Sequence, residues 1–144
     1  MPITIHFRPE ENVAICVHIG VTPDNEFLAT MEGMCKDDLF SISMNRLIDV
    51  RQATTHGSRS ASALRQLGVF MSSRYPKTDT HPKIAVIAPT DINFGISRMY
   101  QAYADEVPWD FVVFRAVDAA LAWLGLPEDF MDDLDNDIQQ TSLE

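Results

Sequence analysis

The chain has 144 residues, 46% apolar and 9% aromatic, enough for one globular core and too few for two. Its 21 acids against 11 bases give a net charge of −10. The bases are scattered singly, so the clustered Lys and Arg that neutralise nucleic-acid phosphates are missing, which argues against DNA or RNA binding. The acids are uneven as well: 126–144 holds Glu128, Asp129, Asp132, Asp133, Asp135, Asp137 and Glu144 and no base, leaving 14 acids against 11 bases in 1–125. The longest apolar runs, 13–17 and 84–88, fall far short of the roughly 18 residues a membrane helix needs. Residues 1–8 alternate apolar and polar and lack the basic, apolar and small-residue segments of a signal peptide, so a cytoplasmic location is expected. Cys16 and Cys35 are too few for a disulfide scaffold and too far apart for a CxxC motif, and are expected to be free and buried.

Residues 3–7 and 13–19 alternate with period two around the polar turn 8–12, which predicts a hairpin. Thr22-Pro23-Asp24 then offers a hydroxyl cap, a proline where no amide hydrogen is required and an acid at the positive end of a helix dipole. A first helix is expected over about 23–36, burying Phe27, Leu28, Met31, Met34 and Cys35. Residues 47–50 form a short apolar strand, followed by a hydroxyl-rich loop and a second helix carrying Leu64, Leu67 and Met71. The nearly continuous apolar run 83–88 suits a central strand. Pro89-Thr90-Asp91 ends it and caps a third helix, whose expected buried stripe is Ile92, Ile96, Met99 and Tyr103. Residues 109–114 form a fifth strand, and Val117, Ala120, Leu121 and Leu124 mark a fourth helix stopped by Gly125 and Pro127. The order β-β-α-β-α-β-α-β-α predicts an α/β fold in which a hairpin opens a mixed, mostly parallel five-stranded sheet. The domain covers 1–125, and 126–144 is an acidic C-terminal tail.

That order and two local signatures resemble the SpoIIAA-like branch of the STAS superfamily, the domain of bacterial anti-sigma-factor antagonists. One signature is the strand Leu47-Ile48-Asp49-Val50-Arg51 leading through a small hydroxyl-rich turn into a helix; the other is 113–125, with its Ala120, Trp123 and Leu124 ending. The resemblance spans about residues 2–125. It implies helices mainly on one face of the sheet and a non-enzymatic signalling role in binding a regulatory protein, either an anti-sigma factor or a kinase-like partner. It also implies that a serine at or near Ser58 is the phosphorylated one, although the family's Asp-Ser-Ser-Gly run reads His56-Gly57-Ser58-Arg59-Ser60 here. Relatives that are similar to CRAL-TRIO lipid-transfer domains imply instead an apolar pocket between helices.

The loop formed by Thr54, Thr55, His56, Gly57, Ser58, Arg59 and Ser60 lies where an open α/β sheet places its ligand, at a strand's carboxyl end and a helix's amino end. Free amides, the hydroxyls of Ser58 and Ser60 and the charge of Arg59 suit an anion or a partner. Equally, Ser58 or Ser60 serves only as the helix cap. His56 and Ser58 match a base and nucleophile in residue type alone, because no GxSxG elbow, oxyanion loop or orienting acid accompanies them, and no enzyme activity is expected. No Walker loop or other cofactor motif occurs.

By period two, His6 and His18 are expected on one side of the hairpin, with Cys16 beside His18. A zinc site lacks a fourth ligand there, so no metal is expected. The tail's acidic spacing from Asp133 to Glu144 mimics a calcium loop but places Ile138 where glycine is required. Met131, Leu134 and Ile138 also allow an acidic amphipathic helix docking on this protein, a second subunit or a basic partner, with a solvated tail as the other possibility. Seven methionines suit a deformable apolar pocket, and its expected lining is Leu67, Phe70, Met71, Phe94, Met99 and Tyr103 on helices two and three. The leading expectation is thus a regulatory protein-binding module working through 54–60, and the alternative is a carrier or sensor of a lipid-like apolar molecule. An exposed sheet face or edge strand would admit a homodimer.

Overall fold

The two alternating segments at the start of the chain pair as expected. In the computed structural model, which describes residues 3–54, 59–77 and 81–143 and side chains as far as residue 136, β1 (Ile3–Arg8) runs antiparallel to β2 (Val13–Gly20). A single 3-10 turn, Pro9–Glu11, joins them. Asn12 closes it in the left-handed region at φ 55°, a conformation its short polar side chain tolerates. The strands β3 (Asn45–Ala53), β4 (Lys83–Ile87) and β5 (Asp110–Phe114) then add in parallel, one beside the next, giving the sheet order β1-β2-β3-β4-β5.

Each parallel step is bridged by a helix: α1 (Asp24–Lys36), α2 (Ala61–Arg74) and α3 (Asp91–Tyr103). Right-handed crossovers taken repeatedly in one direction deliver every bridging helix to the same face. On that face Phe27, Met31, Leu64, Leu67, Met71 and Tyr100 pack against Cys16, Ile84, Val86 and Phe111. Gly68 lets α2 and α3 close up, because a Cβ there would stand 2.9 Å from the Tyr103 carbonyl oxygen. The alternate residues Val13, Ile15, Val17, Leu47, Ala85 and Ile87 face the other way, under α4 (Val117–Leu124) and α5 (Phe130–Leu143). The acidic tail thus begins as a helix whose Phe130, Met131 and Leu134 are buried on the second face.

Three helix ends follow the expected sequence chemistry and one departs from it. Ser60 Oγ accepts from Ala63 N at 3.1 Å, Thr90 Oγ1 accepts from Asn93 N at 3.2 Å, and Gly125 ends α4 at φ 73°. Thr22, expected to cap α1, is buried instead; the helix starts after Pro23 without a side-chain cap, and Asp24 opens its first turn.

Two faces also differ from expectation. Register places His6 opposite Ile15 and Ile5 opposite Cys16, so His6 lies on the face away from His18 and Cys16. The stripe of α3 is rotated: Ile92, Met99 and Tyr103 are exposed, while Asn93 and Tyr100 are buried. The reason is polar: the Asn93 amide donates to the carbonyls of Val50 and Ala53 at 3.0 and 3.1 Å, turning that side of the helix to the sheet.

Candidate functional site

The carboxyl ends of β2, β3 and β4 meet the amino ends of the crossover helices, and several side chains from the predicted loop do structural work there. Thr54 N donates to the Gly20 carbonyl at 2.8 Å, extending the ladder between β2 and β3. Arg59 lies over the Phe27 ring at 3.9 Å and donates to the Thr22 carbonyl at 3.1 Å and to Asp24 Oδ1 at 3.0 Å. Asp24 also accepts from Ser60 N at 3.3 Å. Burial works against the Asp24 carboxylate, but the hydrogen bonds from Ser60 and Arg59 win and hold its pKa below the usual value. Arg59 and Ser60 therefore tie α1 to α2. Thr55, His56, Gly57 and Ser58 lie outside the described residues.

Behind this rim, between the sheet and α1, α2 and α3, is a cavity of about 80 Å³. Its apolar walls are Phe27 and Met31 of α1, Leu64 and Leu67 of α2, Ile96 of α3, and Ile48, Val50, Val86 and Phe111 of the sheet. It reaches Gly20 and the exposed Thr54 at the strand ends. Of the six residues expected to line a pocket, Leu67 does so. Met71 is fully buried in the adjoining core, where Cys35 Sγ approaches its sulfur at 3.9 Å. Phe70 and Phe94 are half-buried under Arg74 and Arg115, and Met99 and Tyr103 face solvent.

Polar side chains interrupt the apolar lining: His18, Thr22, Arg46, Thr54, Arg59, Asn93, Ser97 and Tyr100. His18 is 7% exposed and its Nε2 has no hydrogen-bond partner among the described residues. Burial, reinforced by the charge of Arg59, lowers its pKa to about 4, so the imidazole is neutral at pH 7. Arg46 is 1% exposed, and its Nε and Nη2 have no partner either. Its guanidinium sits 5.3 Å from the Trp109 ring centre. The hydroxyls of Tyr75 and Tyr100 lie against it, close enough for its charge and a weak hydrogen-bonding contact to oppose the effect of burial on them, but at a geometry that satisfies neither Nε nor Nη2.

Those neighbours carry no compensating charge at pH 7. Burial pushes the Cys16 thiol up to about 11 and raises the Tyr100 and Tyr75 hydroxyls and the Cys35 thiol above their ordinary values. Arginine cannot shed its proton to escape burial, and an uncompensated ion inside a protein costs several kcal/mol. On the opposite face, Arg51 shows the usual solution: its Nε and Nη2 grip the buried Asp49 carboxylate at 2.9 Å each. The sequence carried a signal for Arg46, since it stands in period-two phase with Ile48 and Val50 on a helix-covered strand. A strand taken as starting at Leu47 leaves it outside; β3 starts two residues earlier, at Asn45, and pairs Arg46 with Ala14 and Ile84. Tyr75 and Tyr100 gave no comparable signal.

Among the described residues no group of three or more His, Cys, Asp or Glu could hold a metal, and no helix is long and apolar enough to cross a membrane. The geometry is that of an apolar chamber with two arginines in its wall, Arg59 paired with Asp24 and Arg46 without a carboxylate partner among the described residues. The architecture that frames it is a SpoIIAA-like α/β fold. A solved protein of the DUF3478 family from Shewanella loihica PV-4, described as uncharacterised and as having a SpoIIAA-like fold, superposes with a TM-score of 0.53 at 15% identity, over 85% of this chain and 91% of that one. No family model and no curated protein matches the sequence.

Proposed function

We propose that this chain is a non-enzymatic binding module that carries or senses a small apolar ligand held between the sheet and α1, α2 and α3. The observation that carries the reading is the cavity itself. Protein interiors pack with few voids larger than a water, whereas this one measures about 80 Å³ under three helices and extends to the strand ends. At the rim, Arg59, Ser60 and Asp24 join α1 to α2 and so hold the mouth of the cavity in place. Mass spectrometry of freshly purified protein, native and then denatured, tests it. A small molecule present in the native mass and released on denaturation is the expected result.

A second reading, regulatory protein binding of the anti-sigma-factor-antagonist kind, draws support from two exposed apolar side chains. Val21, just after β2, and Ile92, in the first turn of α3, are 55% and 53% exposed. A mass identical before and after denaturation would sink the carrier reading and leave this one.

A further inference from the structure

We propose that the ligand is a carboxylate on an apolar body, with the head group in the fork of Arg46 and the body running past Leu67 and Val50 toward the strand ends; this rests on the ligand-binding reading above. Nε and Nη2 are neighbouring donors on one edge of the planar guanidinium. This protein already uses that edge for a carboxylate, in Arg51 with Asp49, at 2.9 Å to each oxygen. In Arg46 the same two nitrogens are buried and have no partner among the described residues, and the side chain lines the cavity. Tyr100 lines it too, with a hydroxyl that lies against the guanidinium and keeps its proton to donate to a remaining lone pair of the same head group.

Charge narrows the class. Water satisfies donors but leaves the positive charge uncompensated, whereas a carboxylate brings one negative charge and two acceptors at the spacing of the fork. A phosphate monoester brings nearly two charges and three strongly hydrated oxygens, a poor match for Arg46 alone, because the other arginine at the cavity, Arg59, is already paired with Asp24. Size narrows it further. A cavity of roughly 150 Å³ accommodates benzene, so about 80 Å³ takes a head group and a short chain, and a longer chain must continue toward Gly20 and Thr54.

The test is isothermal titration calorimetry of the full chain at pH 7 with butyrate, hexanoate and octanoate, and with the matching 1-alkanols, on the wild type and on Arg46→Met. The expected result is that an acid binds roughly 10- to 100-fold tighter than its alcohol. Arg46→Met should abolish that preference while still binding the alcohol. Equal affinity for acid and alcohol in the wild type, or a preference that survives in Arg46→Met, would overturn the head-group assignment and leave the cavity reading standing. Failure of every acid and every alcohol to bind would overturn both. If Arg46→Met does not fold, Arg46→Lys carries the comparison: it keeps the charge but lacks the fork, so acid affinity falls several-fold and alcohol affinity stays. Unchanged acid affinity in Arg46→Lys overturns the assignment.

Discussion

His18 and Arg46 line one cavity and meet burial in opposite ways. Histidine gives up its proton, with a folded-state pKa of about 4 against 6.5 when exposed; arginine keeps its charge and is left in need of a counter-ion. The His18 shift ties stability to pH. Below pH 6.5 the unfolded chain takes up a proton that the folded one refuses until about pH 4, so the contribution is complete above 6.5 and is lost as pH falls through that window. Between pH 7 and 4.5 the loss from this group is about 2 kcal/mol. Urea unfolding at both pH values should therefore show a smaller loss for His18→Gln than for the wild type, by roughly that amount. Parallel losses in the two proteins would remove His18 from the account.

At the scale of elements, α5 contributes three buried side chains to the second face of the sheet. Phe130, Met131 and Leu134 close the second face over Ile15, Leu47 and Ile87, and Asp132 and Asp135 bring negative charge toward Arg51. Leu134→Ala is expected to cost about 2–5 kcal/mol in chemical denaturation, while Leu39→Ala, at a side chain 59% exposed, should change stability by less than about 0.5 kcal/mol. Equal effects would mean that α5 is not held in place in solution. The strands and the caps at Ser60, Thr90 and Gly125 were legible in the sequence because period-two alternation and end chemistry are local. The docking of α5 was legible only as one of two possibilities, since an acidic amphipathic segment reads alike with or without a surface to sit on. The α3 face was not legible: counting apolar residues assigns Asn93 to solvent, and its burial depends on two carbonyls about forty residues away in the chain. His6 failed for a related reason, because the side it occupies depends on cross-strand register. A pocket was expected between helices two and three, but the cavity lies between the sheet and α1, α2 and α3 and shares Leu67 with the expected lining; the charge within it was not anticipated, since Arg46 lies beyond the apolar run taken as its strand.

For the whole molecule, occupancy of an interior cavity couples ligand to fold. A ligand that binds only the native state at 100 times its Kd adds about 2.7 kcal/mol. In a chain of this size that raises Tm by roughly 5–10 °C. Octanoate at that excess is expected to give such a rise by calorimetry, and an unchanged Tm would show that it does not bind the folded state selectively. The strand order β1-β2-β3-β4-β5 has a separate consequence, for synthesis. Each strand joins the edge left by the one made just before it, so the sheet can grow in step with the ribosome and needs no earlier segment to be held in reserve. The helices of the first face arrive in the same sequence. The second face waits: Val13, Ile15, Val17 and Leu47 stay uncovered until residues 117–134 have been made. A stalled nascent chain therefore presents a nearly complete sheet with one greasy side, the form most in need of a chaperone.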